Sequence, residues 1–177
     1  MWNMSVSVLM LPVDRWQEYK KLRLAALSEQ PKIAFQNDYQ EEASWSDDVW
    51  RQRLIDSLAG KNNYVLFAQS DNRLCGMVTG VIEDGVNAQH RVLIRSAYVI
   101  PEYQKNLQVY TALITELLEV CDKNNKKVMY VTVNVASKTQ LEFYEGIGFS
   151  KVGVLKKYVK LNDNTYQDRY LLARVRD

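Results

Sequence analysis

The sequence predicts an α/β protein in which helices cover both faces of a mixed sheet. Residues 92–100 are rich in β-branched and aromatic residues, as a buried strand is. Pro101 ends this strand, because proline cannot donate to a sheet ladder. After a polar loop over residues 102–106, apolar residues recur at the spacing of one helix face: Tyr110, Leu113, Ile114, Leu117, Leu118 and Cys121. Residues 128–149 repeat this order of strand, loop and short helix.

The segments before residue 92 predict three strands and two helices. A strand over residues 5–11 ends at Pro12, and Asp14 is the candidate N-cap of a helix over residues 15–28. Residues 31–46 form a connection, after which Ser46 caps a helix over residues 47–58. Two further strands, residues 64–70 and 74–83, are joined by a turn at residues 71–73.

The segments after residue 121 complete the sheet. Residues 128–134 form a strand, and Ser137 or Thr139 caps a short helix that runs through residue 145. Residues 151–159 and 166–175 form two strands joined by a turn at residues 161–164. The order β, α, α, β, β, β, α, β, α, β, β suits a mixed sheet between helical layers.

Composition indicates an ordinary globular protein, and we expect residues 1–177 to form one domain. Apolar residues make up 47% and charged residues 25%, and the net charge of +2 is too small to indicate nucleic acid or an anionic membrane as the main partner. No apolar run approaches the ~20 residues of a membrane span. The first residues lack the basic start and long apolar core of a signal peptide, so we expect a cytoplasmic protein.

Cysteine and histidine are scarce, which argues against a metal site. The chain has two cysteines and one histidine, His90, too few ligands at suitable spacing for zinc. Cys75 and Cys121 stand in apolar surroundings and are expected to be small buried hydrophobic residues in a reducing compartment.

Two motifs resemble the GCN5-related N-acetyltransferase (GNAT) superfamily. The first is similar to the family's acyl-CoA motif, a hydrophobic strand followed by V-x-P-x-Y-[RQ], matched here by Val99, Pro101, Tyr103 and Gln104. The second is similar to its segment F/L-Y-E-x-x-G-F, matched by Phe143, Tyr144, Glu145, Gly148 and Phe149. The resemblance covers nearly the whole chain and implies the GNAT fold, a central mixed and mostly antiparallel sheet flanked by helices.

The resemblance implies that the protein moves an acetyl group from acetyl-CoA to a primary amine by direct attack. The acceptor is an amine of a small molecule or of a protein, and the sequence does not choose between them. A homodimer is also implied, since family members are often dimers. The alternative is a GNAT-fold binding or regulatory protein that has lost efficient catalysis.

The reason for that alternative is the sequence of the loop that is expected to hold the diphosphate of the cofactor. The family's hexapeptide is Q/R-x-x-G-x-G/A, and the loop here consists of Gln104, Lys105, Asn106, Leu107, Gln108 and Val109. Leu107 and Val109 replace both glycines, and either side chain could narrow the approach of the phosphates. Lys105 and Asn106 could compensate by donating side-chain hydrogen bonds.

Other residues of the cofactor site follow from the same resemblance. The backbone of Ala97, Tyr98 and Val99 is expected to line the pantetheine, although an ordinary core strand explains these residues equally well. Tyr144 matches the family's general acid, which protonates the leaving thiolate. The alternative is a tyrosine packed at a helix end with its hydroxyl in water. Ser137 stands where the family usually has asparagine and reaches less far.

The base that deprotonates the amine has several candidates. Glu42, with its neighbour Glu41, lies between the first two helices, and Glu83 ends the third strand. For each of these residues, a plain surface acid is the simpler interpretation. Arg95 would favour an acidic acceptor if it points into the cleft, or it pairs with a nearby acid. The aromatic residues Phe35, Tyr39 and Trp45 either line an acceptor pocket or anchor the interhelical segment.

Overall fold

The computed structural model describes residues 6–29, 38–105, 107–161 and 164–177. Its strands are β1 (Val6–Leu9), β2 (Asn63–Ser70), β3 (Arg73–Ile82), β4 (Arg91–Val99), β5 (Val128–Asn134), β6 (Ser150–Lys160) and β7 (Tyr166–Val175). Its helices are α1 (Trp16–Glu29), α2 (Tyr39–Ala43), α3 (Asp47–Leu58), α4 (Pro101–Gln104), α5 (Leu107–Lys123) and α6 (Lys138–Gly146).

The strands form one mixed sheet in the order β1-β2-β3-β4-β5-β7-β6. Neighbouring strands are antiparallel except β4 and β5, which are parallel. The predicted mixed, mostly antiparallel sheet is therefore confirmed. The insertion of β7 between β5 and β6 brings the end of the chain beside the parallel pair.

Helices cover both faces of the sheet, as the sequence predicts. On one face Tyr19 of α1 packs edge-on against Phe67 of β2, with ring centroids 5.2 Å apart. On the other face α5 crosses β1 to β4, and its buried side chains include Leu113 and Leu117. The parallel pair β4–β5 thus lies between two helical layers, and each of its strands is followed by a helix.

Two glycines of β3 let α5 approach the sheet closely. A Cβ atom at Gly76 would lie 2.9 Å from the carbonyl oxygen of Tyr98 and 3.0 Å from Cδ1 of Leu113. One at Gly80 would lie 2.9 Å from Val92 and 3.0 Å from Leu117. The absence of a side chain at these positions therefore sets the distance between helix and sheet.

Replacing Gly76 with alanine is expected to lower the free energy of unfolding by about 1–3 kcal/mol, the usual cost of overpacking a core. The backbone carbonyl of Tyr98 cannot move aside as a flexible side chain would. Gly153 is the control, because a Cβ there would meet nothing within 4 Å. Urea unfolding of both variants measures the effect, and equal stability of the two would contradict this account of the helix–sheet spacing.

Several element boundaries match the prediction and others correct it. The strands β5 and β7 and the helix α3 have the predicted bounds. The predicted polar loop at 102–106 is wrong over most of its length, because α4 occupies residues 101–104 with Pro101 in its first turn, where a missing N–H costs nothing. Asp14 lies inside a 3₁₀ turn, Val13–Arg15, and is not the N-cap of α1.

The connection predicted at residues 31–46 also contains a helix, α2, whose N-cap is Asp38. The Asp38 carboxylate accepts a hydrogen bond from the backbone N–H of Gln40. The predicted N-cap Ser46 precedes α3 as expected, although its side chain makes no capping bond. Ser5 and Phe35 lie outside the described residues. None of the helices in the described ranges combines the length and apolar character needed to cross a bilayer.

Candidate active site

The parallel strands β4 and β5 separate part of the way along their length. Their register pairs run from Arg91↔Val128 to Leu93↔Tyr130, and none follows in the described residues. β4 continues to Val99 along β3, and β5 continues to Asn134 along β7. Residues 94–99 and 131–134 therefore flank a wedge-shaped gap, the β4–β5 opening, into which backbone edges of both strands face.

A β-bulge lies in β4 beside this opening. Thr79 pairs with Arg95 and Met77 with Tyr98, so three steps on β4 match two on β3. Within the bulge Ser96 has φ of 53°, in the left-handed region that non-glycine residues rarely adopt. The bulge redirects the backbone at the point where the sequence predicts contacts from Ala97, Tyr98 and Val99. These contacts stay predictions.

The helix α5 begins at the end of the opening. Its first residue is Leu107, and the backbone N–H groups of a first helical turn, together with the helix dipole, favour an anion. Lys105 and Gln108 are exposed around this end. The side-chain amide of Gln104 donates to the Val99 carbonyl at 3.0 Å, which ties the loop to the end of β4. Asn106 lies outside the described residues.

The two residues that replace the expected glycines differ in their surroundings. Leu107 is 62% exposed, so its side chain lies at the surface near the start of α5. Val109 is fully buried, and its Cγ1 would be 3.5 Å from a Cβ on Gly76. The structure therefore corrects the expectation for Val109, because its side chain fills the space between α5 and β3 instead of facing the surface.

Different consequences are expected when these two residues are shortened. Val109→Ala removes buried methyl groups and should lower the free energy of unfolding by about 2 kcal/mol. Leu107→Ala should change it by less than about 0.5 kcal/mol, since the side chain is exposed. Thermal unfolding compares the two variants. A stable Val109→Ala protein would show that the valine is not part of the core.

Tyr144 lies on α6 in a cluster of aromatic residues. It is 2% exposed, and its ring packs edge-on against Phe143 and Phe149 at 5.2 Å. Its hydroxyl lies 2.9 Å from the hydroxyl of Tyr110 on α5, and either group can donate. Burial, and next the neighbouring Tyr110, raise the pKa of Tyr144 well above that of a free phenol, so Tyr144 keeps its proton at neutral pH.

The Tyr110–Tyr144 pair joins the helices that follow the two separating strands. Tyr110 is one turn from the start of α5, which follows β4, and Tyr144 is on α6, which follows β5. The contact between the two hydroxyls therefore ties α5 to α6. Sequence reasoning identified Tyr144 but assigned Tyr110 only to the apolar face of its helix.

Ser137 acts as the N-cap of α6. Its hydroxyl accepts a hydrogen bond from the backbone N–H of Gln140 at 3.4 Å, and its carbonyl accepts one from Leu141 at 3.1 Å. Of the two caps predicted, Ser137 is the one observed. Its contact with a cofactor stays a prediction.

Glu42 is buried in an ion pair between α1 and α2. Its carboxylate receives two hydrogen bonds from Arg23, at 2.6 and 2.9 Å, and its side chain is 0% exposed. A bidentate pair of this kind engages both oxygens of the carboxylate. The geometry favours a structural role for Glu42 over its predicted role as a base.

Glu83 lies at the other end of β4 from the opening. Its carboxylate pairs with Arg91 at 2.5 Å, at the start of the strand. Ala97 is six positions beyond Arg91 in the chain, which is roughly 20 Å of extended strand. The structure does not bring Glu83 together with Tyr144 or the bulge, and its role as a base stays a prediction.

The described interhelical aromatic residues differ in their packing. Trp45 contacts Trp50 at 5.3 Å and the guanidinium of Arg53 at 5.1 Å, as expected of a side chain that anchors the segment. Tyr39 is 44% exposed. Trp45 therefore fits the second of the two interpretations, and Phe35 cannot be placed.

A contact that the sequence did not predict joins α1 to β4. The hydroxyl of Tyr98, next to the bulge, donates to the carboxylate of Glu29 at 2.5 Å. Glu29 is the last residue of α1. The sequence feature that could have drawn attention to Glu29 is an acid at a helix C-terminus, a position where the helix dipole disfavours negative charge.

Comparisons with known proteins agree with this geometry. The family model described as "Acetyltransferase (GNAT) family" matches residues 24–149. A GNAT-family acetyltransferase from Streptococcus pneumoniae has a TM-score of 0.83 and 14% identity, over 97% of this chain and 100% of the other. The ribosomal-protein-alanine N-acetyltransferase of Brucella melitensis has a TM-score of 0.77 and 13% identity, over 96% and 99%.

A further similar structure contains a cofactor. The yncA protein of Salmonella typhimurium, described as an acetyltransferase and solved with acetyl-CoA, has a TM-score of 0.76 and 13% identity, over 97% of this chain and 94% of the other. At these identities the likeness shows the fold. No curated protein matches the sequence.

Proposed function

The chain belongs to the acetyltransferase (GNAT) family, and from that membership we propose that it transfers an acetyl group from acetyl-CoA to a primary amine by direct attack. The observation that carries the proposal is the β4–β5 opening, which leads from the bulge at Ser96 to the start of α5. An opening between strand edges accepts an extended chain, and a helix N-terminus accepts phosphate.

Acetyl-CoA is the co-substrate, and the described residues fit it. The first turn of α5 would hold the diphosphate, with Lys105 at its edge, and Val109 does not obstruct it because its side chain lies in the core. The edges of residues 94–99 and 131–134 would pair with the amide groups of the pantetheine. Leu107 is the one departure from the family loop that remains at the surface.

The reaction needs a neutral amine and a stabilised leaving group. The nitrogen attacks the thioester carbonyl carbon, the C–S bond breaks, and the sulfur takes the bonding electrons. An ammonium loses two protons on becoming an amide N–H: the first goes to solvent before the attack, and the second replaces the proton that the general acid gives to the thiolate. Tyr144, protonated and joined to Tyr110, is the proposed donor to the thiolate.

A covalent acyl-enzyme is not part of the proposal. Cys75 and Cys121 are each no more than 1% exposed. Burial raises the pKa of both thiols, so neither forms the thiolate needed for nucleophilic attack at neutral pH. Direct attack by the amine is the simpler route.

The proposal is tested by incubating the purified protein with acetyl-CoA and a panel of primary amines. Release of the thiol and the acetylated product, identified by mass spectrometry, measure transfer. We expect stoichiometric appearance of both. Thiol release without an acetylated amine would indicate hydrolysis and would contradict the proposed transfer.

A further inference from the structure

The Glu29–Tyr98 pair places a carboxylate beside the bulge of β4. The Tyr98 ring is 1% exposed, and its hydroxyl donates to Oε2 of Glu29 at 2.5 Å. Tyr98 lies beyond the last β4–β5 register pair, so it belongs to the part of β4 that borders the opening. Glu29 is exposed. One carboxylate oxygen is thus fixed by a buried ring, while the side chain as a whole remains accessible to a ligand.

The pair lies on the face of the sheet opposite α5. Gly76 and Gly80 of β3 face α5, so Met77 and Thr79 face the other side. Tyr98 is opposite Met77 and therefore projects toward α1, where Glu29 meets it. Tyr110 and Tyr144, which lie with α5 and α6, occupy the other face. The pair and the proposed thiolate donor thus lie on opposite faces of the sheet.

The position of Glu29 is unfavourable for the helix that carries it. Glu29 is the last residue of α1, where the helix dipole disfavours negative charge, and no basic residue lies in the last turn. Local helix energetics therefore do not explain this acid. Sites at which a residue breaks a local rule are often functional.

Glu29 also differs from Glu42 and Glu83 in the charge of its hydrogen-bond partner. Glu42 and Glu83 are neutralised by Arg23 and Arg91. In the described part of the chain, the hydrogen-bond partner of Glu29 is the neutral phenol of Tyr98. Burial and the bond to Glu29 raise the pKa of Tyr98, so the phenol stays a hydrogen-bond donor.

Resting on the proposed acetyl transfer, we propose that Glu29 is the specificity-determining carboxylate that binds the ammonium group of an alkylamine acceptor, and that Tyr98 positions it. Alkylamines with a pKa of ~10 are cations at neutral pH and are recognised by carboxylates through charge-assisted hydrogen bonds. Arg95, opposite Thr79, faces the same side and opposes cation binding, but it has a partner of its own.

The test compares amines that differ in charge, with acetyl-CoA held constant and saturating. The probes are n-butylamine and spermidine, which are cationic at neutral pH, and aniline, which is neutral. The wild type should prefer the alkylamines. Glu29→Gln should raise KM for the alkylamines about 10-fold, with kcat changed less than about 2-fold and aniline kinetics unaltered.

Two further variants separate recognition from structure. Tyr98→Phe keeps the buried ring and removes the donor, so it should raise the alkylamine KM about 3-fold. Glu119→Gln, an exposed acid on α5 on the other face of the sheet, should change nothing. Calorimetry should show unchanged acetyl-CoA affinity in all variants. Glu29 and Glu119 lie outside the strand edges and the start of α5, and Tyr98→Phe leaves the backbone of β4 unchanged.

The outcomes distinguish this inference from the transfer reaction itself. Alkylamine acetylation that Glu29→Gln leaves unchanged, or a wild type that prefers aniline, overturns the role of Glu29 alone. Loss of acetyl-CoA affinity in Glu29→Gln also overturns it, because the residue would then act on the cofactor. A wild type that binds acetyl-CoA and acetylates no amine contradicts the transferase proposal and the acceptor role with it.

Discussion

Replacing Tyr144 with phenylalanine is expected to reduce kcat by about 100-fold, the usual effect of losing a general acid, while the affinity for acetyl-CoA changes little. The ring stays in place among Phe143 and Phe149, so the variant loses a hydroxyl and almost no packing. Steady-state kinetics and calorimetric titration of the same preparation separate the two effects.

Tyr110→Phe is the matched control, because it breaks the same 2.9 Å contact from the other side. The free energy of unfolding should fall by a similar amount in both variants, about 1 kcal/mol. Any difference between their kcat values therefore shows which hydroxyl donates the proton. An unchanged kcat in Tyr144→Phe at several pH values would remove Tyr144 from the mechanism. A large loss in Tyr110→Phe alone would transfer the role to Tyr110.

The pH dependence follows from the raised pKa of Tyr144. Because burial disfavours the phenolate, the donor form persists above the ordinary tyrosine pKa of ~10. Ionisation of Tyr144 should therefore cause no fall in kcat between pH 7 and about pH 9. A fall in that range that disappears in Tyr144→Phe would show an unexpectedly acidic phenol.

Replacing Glu42 with alanine is expected to lower the free energy of unfolding by about 3–5 kcal/mol, since it leaves the buried guanidinium of Arg23 without its carboxylate. Glu41→Ala is the control from the same short helix. Glu41 is exposed, so this change should cost less than about 0.5 kcal/mol. Urea unfolding measures both.

Glu42→Gln separates the structural role from the predicted catalytic one. The amide keeps the shape of the side chain, so the variant should fold and retain a kcat near that of the wild type. A base would instead lose about 100-fold in kcat on this change. Near-normal stability of Glu42→Ala would contradict the ion-pair account, and a large kcat loss in Glu42→Gln would restore Glu42 as the base.

Local patterns in the sequence predicted most of the helices and strands, and the fold that they form was predicted from the family resemblance. The alternation and β-branched content of residues 128–134 and 166–175 predicted β5 and β7 with their observed bounds. The short helix α4 was missed because Pro101 was interpreted only as the end of a strand. Proline both ends a strand and begins a helix, and the residues around it do not decide between these roles.

These local patterns could not predict which strands pair with each other or in what register. The separation of β4 from β5 after Leu93 depends on which strand each one pairs with on its other side. The bulge at Ser96 likewise depends on its register with β3, and no glycine marks its positive φ. Sequence reasoning therefore found the residues that border the opening without predicting the opening itself.

The same holds for the candidate site: residues within a family motif were predicted, and residues that matter through long-range contacts were not. Tyr144 was recognisable because it stands within a family motif. Tyr110 and Glu29 belong to no such motif, and their significance comes from partners 34 and 69 residues away. From the sequence alone, Val109 was expected to obstruct the start of α5. Its side chain is instead buried near Gly76, and this burial depends on how α5 packs on β3, which the sequence does not show.

The measurement that tests the central claim most directly is calorimetric titration of the purified protein with acetyl-CoA, with free CoA alongside. We expect micromolar binding of both, because the opening and the start of α5 hold parts that the two molecules share. Absence of binding at millimolar acetyl-CoA would contradict the account and would leave a GNAT fold that serves another purpose.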